Sequence, residues 1–189
     1  RSPPPPKKPQ PRFKPFSEEQ LAAWNRDGYL VIRGEDIWTS VGDIDNLTKW
    51  TEDISSWPET PGKWMMYYSN SVKDKTRLLH RVENFFDYHE GFNNRFNSES
   101  FLNLVSQLFG EPVTVYAFPE VSLTLYFAQA ILYKEKINFK LSGGEGFDPH
   151  QDHAAGWWQY GHKLHISVLV AIDPATKENG TNGFFGVSV

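Results

Sequence analysis

The sequence contains no cysteine. This absence excludes a disulfide scaffold, a cysteine nucleophile and a thiolate metal site, so any metal must be bound by histidine and carboxylate side chains. The sequence also lacks a run of about 18 apolar residues, the length that crosses a bilayer, and its first residues contain no apolar segment typical of a secretory signal. We therefore expect a soluble protein, without membrane contact, in the cytoplasm or another intracellular compartment.

The charge is distributed unevenly along the 189 residues. The net charge is −4, but residues 1–16 contain five basic and no acidic residues, which leaves −9 for residues 17–189. An acidic body repels the phosphates of DNA and RNA, so nucleic-acid binding is not expected. Hydrophobic residues make up 39% of the chain and aromatic residues 15%, which is enough for the core of one domain.

Seven of the 13 prolines lie in residues 1–16. This density favours an extended polyproline II conformation and predicts a disordered, basic arm. Pro3, Pro6 and Pro9 have the PxxP spacing that adaptor domains with aromatic grooves recognise, although any proline cluster produces such spacing by chance. The arm is therefore a weak adaptor ligand or an unstructured leader, and the folded domain is expected over residues 17–180.

Capping residues and periodicity predict three helices. Ser17 and Gln20 have the spacing of a capping box at the start of a short helix, which Gly28 ends. Apolar residues recur at spacings of three and four over residues 36–55 and again over residues 98–109, as on the buried face of an amphipathic helix.

The remaining segments predict strands in the second half of the chain. Residues 131–141 and 164–172 are rich in β-forming residues, and a shorter run of this kind covers residues 29–33. Residues 57–96 are aromatic and interrupted by prolines, so we expect irregular structure there. Helices followed by strands indicate an α+β fold.

Four of the six histidines lie between residues 150 and 165. Among them, His150 precedes Asp152 by two positions, so in an extended strand the two side chains point to the same face. Such a pair can supply two of the three ligands of the facial triad that binds Fe(II) in non-haem oxygenases. Alone the motif is weak, because a surface histidine near an aspartate occurs by chance in many proteins.

The surrounding residues resemble the phytanoyl-CoA dioxygenase-like family of Fe(II)/2-oxoglutarate oxygenases. The segments that carry the resemblance are residues 27–31, 136–141, 143–147, 150–152, 164–168 and 178–180. The resemblance implies N-terminal helices packed on a double-stranded β-helix, which is a jelly roll of the cupin type. In this family 2-oxoglutarate chelates the iron, O2 binds beside it and a small-molecule substrate is hydroxylated.

The resemblance also assigns residues to the site. His150 and Asp152 match the first two iron ligands, and Asn138 is the expected hydrogen-bond partner of 2-oxoglutarate, with Lys136 as a second contact. The alternative for this strand is a plain exposed face. The adjacent Trp157 and Trp158 are expected to line the substrate pocket, unless they belong to the core.

Two features of the family are missing from the sequence. No histidine follows His165 to serve as the third ligand, and no arginine follows Arg95 to anchor the far carboxylate of 2-oxoglutarate. Residues 181–189 do not resemble the family and form a divergent tail. We therefore expect a truncated jelly roll that lacks its C-terminal strands and is inactive in this form.

Residues 113–129 are an atypical insertion, with one charged residue in seventeen positions. Valine codons begin with GT and a glutamine codon can end in AG, so this segment can be a retained intron read in frame. The alternative is a genuine β-hairpin insertion.

Two functions of other classes stay open. One is a non-catalytic binding module that uses the β face and the proline-rich arm. The other is a zinc hydrolase with His150, Asp152 and His162 as ligands, because such sites need three protein ligands and a water. The zinc alternative leaves the flanking family signature unexplained.

Overall fold

A computed structural model describes residues 13–34, 43–109, 132–148, 150 and 166–179. In chain order its elements are α1 (Glu18–Asp27), α2 (Asp43–Ser55), β1 (Met65–Asn70), β2 (Arg77–Glu83), a 3-10 turn (Phe86–Tyr88), α3 (Glu90–Phe96), α4 (Glu99–Ser106), a second 3-10 turn (Gln107–Phe109) and β3 (Lys136–Asn138). The α+β class is confirmed. No helix within the described residues is long and apolar enough to cross a membrane.

The chain divides into two compact units. The first unit comprises Arg1–Asp43, His89–Tyr133 and Val187–Val189, and the second comprises Ile44–Tyr88 and Lys134–Gly186.

Helix α1 of the first unit has the predicted caps. The Ser17 hydroxyl accepts a hydrogen bond from the Gln20 amide at 3.2 Å, and the Gln20 side chain accepts one from the Ser17 amide at 2.8 Å. Gly28 ends the helix with φ +72°, a left-handed conformation that costs glycine little. The helix is joined to the second 3-10 turn, where Trp24 Nε1 donates to the Leu108 carbonyl at 2.8 Å.

The core of the first unit is built by α3, α4 and the turn that follows. Ser98 caps α4 by accepting from the Phe101 amide at 3.2 Å, as predicted for a helix over residues 98–109. The buried apolar side chains here are Phe92, Leu104, Val105 and Leu108. Phe13 lies against Phe101 with ring centroids 5.1 Å apart. Residues 1–12 of the proposed arm lie outside the described residues.

The second unit contains an antiparallel sheet with the order β1-β2-β3. Val82 is fully buried and pairs with Ile137, so one face of the sheet is apolar. The β1–β2 register shifts between Tyr67, which pairs with Arg81, and Tyr68, which pairs with Leu79. This irregularity leaves His80 without a register partner on β1, and such bulges redirect the side chains near them.

Three sequence predictions of the fold are wrong or only partly right. The expected irregular region at residues 57–96 contains the β1–β2 hairpin, α3 and a 3-10 turn. Residues 29–33 form no strand, and Val31 is 69% exposed, because β propensity needs a pairing partner that the described residues do not provide. The strand expected over residues 131–141 is only Lys136–Asn138.

Other predictions extend beyond the described residues. The second helix is confirmed as Asp43–Ser55, while residues 36–42 lie outside the described part. Residues 166–172 of the last expected strand are described and contain no strand. Residues 113–129 and 181–189 lie outside the described residues.

Candidate metal and co-substrate site

The His150 ring is oriented by its own backbone neighbourhood. Its Nδ1 lies 2.6 Å from the Asp148 carbonyl oxygen. A carbonyl can only accept, so Nδ1 carries the proton and a neutral ring has its lone pair on Nε2. Metal-binding histidines commonly donate one ring N–H to a carbonyl in this way, which fixes the tautomer that binds metal. The donor chemistry at His150 therefore fits a metal ligand.

The chain that leads from β3 to His150 is anchored to the β1–β2 hairpin. The Phe139 amide donates to the His80 carbonyl at 2.9 Å, which extends the pairing one residue past β3. The Phe147 ring then lies 5.0 Å from the His80 ring and 5.0 Å from Lys140 Nζ. His80 thus contacts both ends of the segment that precedes Asp148.

The glycine-rich turn of this segment is held by the loop between β1 and β2. The Val72 amide donates to the Gly143 carbonyl at 2.9 Å, and Lys73 Nζ donates to the Ser142 hydroxyl at 2.8 Å. Gly143 has φ +85°, and a Cβ placed there would lie 2.7 Å from Ser71 Oγ. Glycine is required at this position both for its conformation and for the close approach.

The proposed co-substrate residues lie on the exposed, polar face of β3. Lys136 and Asn138 are exposed, while Ile137 between them is buried. Asn138 pairs with Arg81 of β2, and Lys136 pairs with Glu83. Both candidate side chains thus belong to the polar side of the sheet, opposite its apolar core.

A carboxylate lies between cations on the same side of the sheet. Glu83 is only 2% exposed. Its Oε1 is 2.9 Å from Arg81 Nε and its Oε2 is 3.0 Å from Lys134 Nζ. The Arg81 guanidinium carbon lies 4.4 Å from the centre of the Tyr67 ring.

The sequence patterns did not single out Arg81 or Glu83. Polar Arg81, apolar Val82 and polar Glu83 alternate as in a strand with one buried face. This pattern is the sequence signal that places Arg81 and Glu83 on the same face of a strand. The aromatic residues and prolines around the hairpin concealed it.

The other predicted site residues lie outside the described part of the chain. They are Asp152, Trp157, Trp158 and His162. Among the residues that are described, no three histidine or carboxylate side chains form a group that could hold a metal ion.

Comparison with known proteins defines the class. The profile of the phytanoyl-CoA dioxygenase (PhyH) family matches residues 24–184. This match covers most of the chain, which therefore belongs to the phytanoyl-CoA dioxygenase family, as the sequence motifs indicated.

Curated relatives support an oxygenase class. The chain is 38% identical over 165 residues to a 2-aminoethylphosphonate dioxygenase of an uncultured bacterium, and 32% identical over 165 residues to a methylphosphonate hydroxylase of Gimesia maris. It is also 29% identical over 167 residues to the dioxygenase lolE1 of Epichloe uncinata. Each match includes 87% of this chain but only 55%, 54% and 56% of the respective relative. The chain thus spans about half the length of these relatives. No solved structure gives a significant match.

Proposed function

We propose that the chain is part of an Fe(II)/2-oxoglutarate-dependent hydroxylase in which β1–β3 belong to a jelly roll. The observation that carries this proposal is the His150 ring, whose Nδ1 is held by the Asp148 carbonyl so that Nε2 has the lone pair. His150 and Asp152 would hold the iron. When bound, iron with 2-oxoglutarate and O2 would supply the oxidising chemistry that hydroxylates a C–H bond.

In this proposal the polar side of the sheet is the inner wall of the roll. The Asn138 amide group would donate a hydrogen bond to a 2-oxoglutarate carboxylate, and Lys136 would add a charge-assisted contact. Their exposure on β3 leaves both side chains accessible to a ligand. Trp157 and Trp158 would form an apolar wall that excludes water from the substrate.

The substrate class is proposed from the relatives. Two of the three are named for phosphonates, namely 2-aminoethylphosphonate and methylphosphonate. We propose that the substrate is a small organophosphonate, which is hydroxylated at a carbon of its organic group.

The sequence as given is proposed to bind iron weakly and to be inactive by itself. It provides two of the three protein ligands of a facial triad, and no arginine follows Arg95 to bind the far carboxylate of 2-oxoglutarate. Each lost ligand removes a large part of the metal affinity.

Anaerobic calorimetric titration with Fe(II) tests the metal site. His150→Ala and Asp152→Ala should each abolish measurable binding, whereas the control His162→Ala should bind Fe(II) like the parent chain. Loss of binding in all three variants, together with one equivalent of tightly bound Zn(II), would favour the zinc hydrolase. Unchanged Fe(II) binding in His150→Ala would overturn the proposed site.

Succinate formation tests the expected inactivity. The parent chain, supplied with Fe(II), 2-oxoglutarate and 2-aminoethylphosphonate in air, should form no more succinate than His150→Ala. Succinate release above that control contradicts the predicted lack of turnover.

A further inference from the structure

The polar side of the sheet presents six side chains in two rows of three. Cross-strand pairing forms one row from Met65, Glu83 and Lys136, and the other from Tyr67, Arg81 and Asn138. We call these six residues the polar face. Met65 and Tyr67 are 45% and 38% exposed, so the face is open along β1.

Glu83 is an unusual residue for such a face. A buried carboxylate is costly unless hydrogen bonds satisfy it. Oε1 of Glu83 and Nε of Arg81 are both buried, and neither has a hydrogen-bond partner within the described residues, because their 2.9 Å contact lacks hydrogen-bond geometry. Stability alone does not favour this arrangement, which points to a role for the two cations that Glu83 holds.

Of these two cations, Arg81 is the better placed to bind an anionic ligand. Glu83 Oε1 lies 2.9 Å from its Nε, and the centre of the Tyr67 ring lies 4.4 Å from its guanidinium carbon, so two side chains hold Arg81 in position. The described residues show no hydrogen bond from its two Nη atoms. A guanidinium fixed in this way presents two parallel N–H donors, which match two oxygens of a phosphonate or a carboxylate.

The charge around the polar face favours an anion. Arg81, Lys134 and Lys136 oppose the two carboxylates of Glu83 and Glu135, which gives a local charge of +1 on a chain whose net charge is −4. A phosphonate carries up to two negative charges at neutral pH. A local positive patch raises the local concentration of such an anion.

We propose that Arg81 binds the PO3 group of the phosphonate substrate, with Lys134 as the second cation and Glu83 as the residue that positions both. This assignment rests on the proposed substrate class and names Arg81 as the residue that recognises the phosphonate group. Asn138 and Lys136, the neighbours of Arg81 and Glu83 on β3, remain assigned to 2-oxoglutarate.

Phosphorus NMR of methylphosphonate and 2-aminoethylphosphonate, titrated with metal-free protein, tests the proposal. Arg81→Lys keeps the charge but loses the two parallel donors, so the Kd should rise about tenfold or more. The matched control is Arg77→Lys, because Arg77 is on the same strand, pairs with Glu59 at 2.7 Å and lies over Tyr68 at 3.4 Å. Its Kd should change less than about twofold, within the usual effect of an exposed pair.

The outcomes of this titration test the phosphonate site independently of the metal site. Inorganic phosphate should compete with the phosphonate, and 2-oxoglutarate should not. An unchanged Kd in Arg81→Lys, or no phosphonate binding by the parent chain, overturns the proposal. Neither result changes the conclusion of the Fe(II) titration. If Arg81→Lys weakens 2-oxoglutarate binding instead, Arg81 belongs to the co-substrate and the assignment is wrong. Circular dichroism melting of both variants confirms that each is folded.

Discussion

Gly143 and Ser71 meet where the turn after β3 contacts the loop between β1 and β2. The Ser71 hydroxyl accepts a hydrogen bond from the Lys73 amide at 3.2 Å, so it cannot rotate away from Gly143 without losing that bond. Ser71 is also only 3% exposed. The close approach of Gly143 to Ser71 is therefore one of the contacts that fix the segment leading to His150.

Gly143→Ala should lower the free energy of unfolding more than Gly62→Ala. Both glycines have a positive φ, at +85° and +82°, so each alanine costs about 1–2 kcal/mol of backbone strain. Only at Gly143 does the added Cβ meet another atom, while the space around Gly62 is open to 4 Å. An additional loss of about 1 kcal/mol is expected for Gly143→Ala in urea unfolding. Equal losses in the two variants would show that the contact with Ser71 is unimportant.

Asp74 shows how the same loop depends on protonation. The Thr76 hydroxyl donates to Asp74 Oδ1 at 2.8 Å, and the Thr76 amide donates to the same oxygen at 3.1 Å. Hydrogen bonds from Thr76, and after it Ser71, lower the pKa of Asp74 below its ordinary value. A lowered pKa stabilises the fold above the ordinary aspartate pKa, and this stabilisation is lost as the pH falls through the lower folded-state value.

Thr76→Val should therefore raise the pKa of Asp74 toward the ordinary value. Valine keeps the shape of threonine but removes the hydroxyl donor, the first cause of the lowered pKa. The measurement is an NMR titration of the Asp74 carboxyl carbon in both proteins. An identical titration midpoint in parent and variant would show that Thr76 does not stabilise the ionised carboxylate.

At the scale of elements, the sequence predicted helix ends more reliably than strand pairing. The caps at Ser17 and Gly28 depend on residues three or four positions away, and the structure confirms both. The hairpin of β1 and β2 was not predicted, because its stability comes from cross-strand pairs such as Met66 with Val82 that a single sequence does not display.

Strand length was harder to predict than strand existence. Residues 131–141 have β-forming composition, but of the described residues 132–141 only Lys136–Asn138 form a strand, with one further hydrogen bond to β2 at Phe139. Glu135, just before β3, instead accepts hydrogen bonds from the amides of Phe85 at 2.7 Å and Phe86 at 3.0 Å. A side chain that satisfies two loop amides is a tertiary feature, and nothing in the local sequence indicates it.

Ser17→Ala should destabilise the first unit by about 1 kcal/mol, because the amide of Gln20 loses its capping acceptor. Ser17→Asp is the matched control, since aspartate caps as well as serine, and it should stay within about 0.5 kcal/mol of the parent. Urea unfolding monitored by tryptophan fluorescence reports the change, because Trp24 lies on α1. If Ser17→Asp is as destabilised as Ser17→Ala, capping is not the cause.

At the scale of the whole molecule, the proposed chemistry belongs to the second unit. His150, Asn138 and Arg81 are all within its residues, whereas the first unit contains α1, α3 and α4 around an apolar core. The family was predictable because each segment that carries the resemblance, such as residues 143–147 and 150–152, is a short stretch of consecutive residues. The polar face was not predictable from the sequence, because it joins β1 and β2 to a strand more than fifty residues later.

The central claim is that His150 is an iron ligand in the tautomer that its backbone contact selects. Nitrogen-15 NMR of histidine side chains, recorded anaerobically during an Fe(II) titration, tests this directly. The account predicts that neutral His150 carries its proton on Nδ1, and that its Nε2 resonance is the first of the six histidines to shift or broaden. A proton on Nε2, or an unchanged His150 spectrum while other histidines respond to Fe(II), would contradict the account.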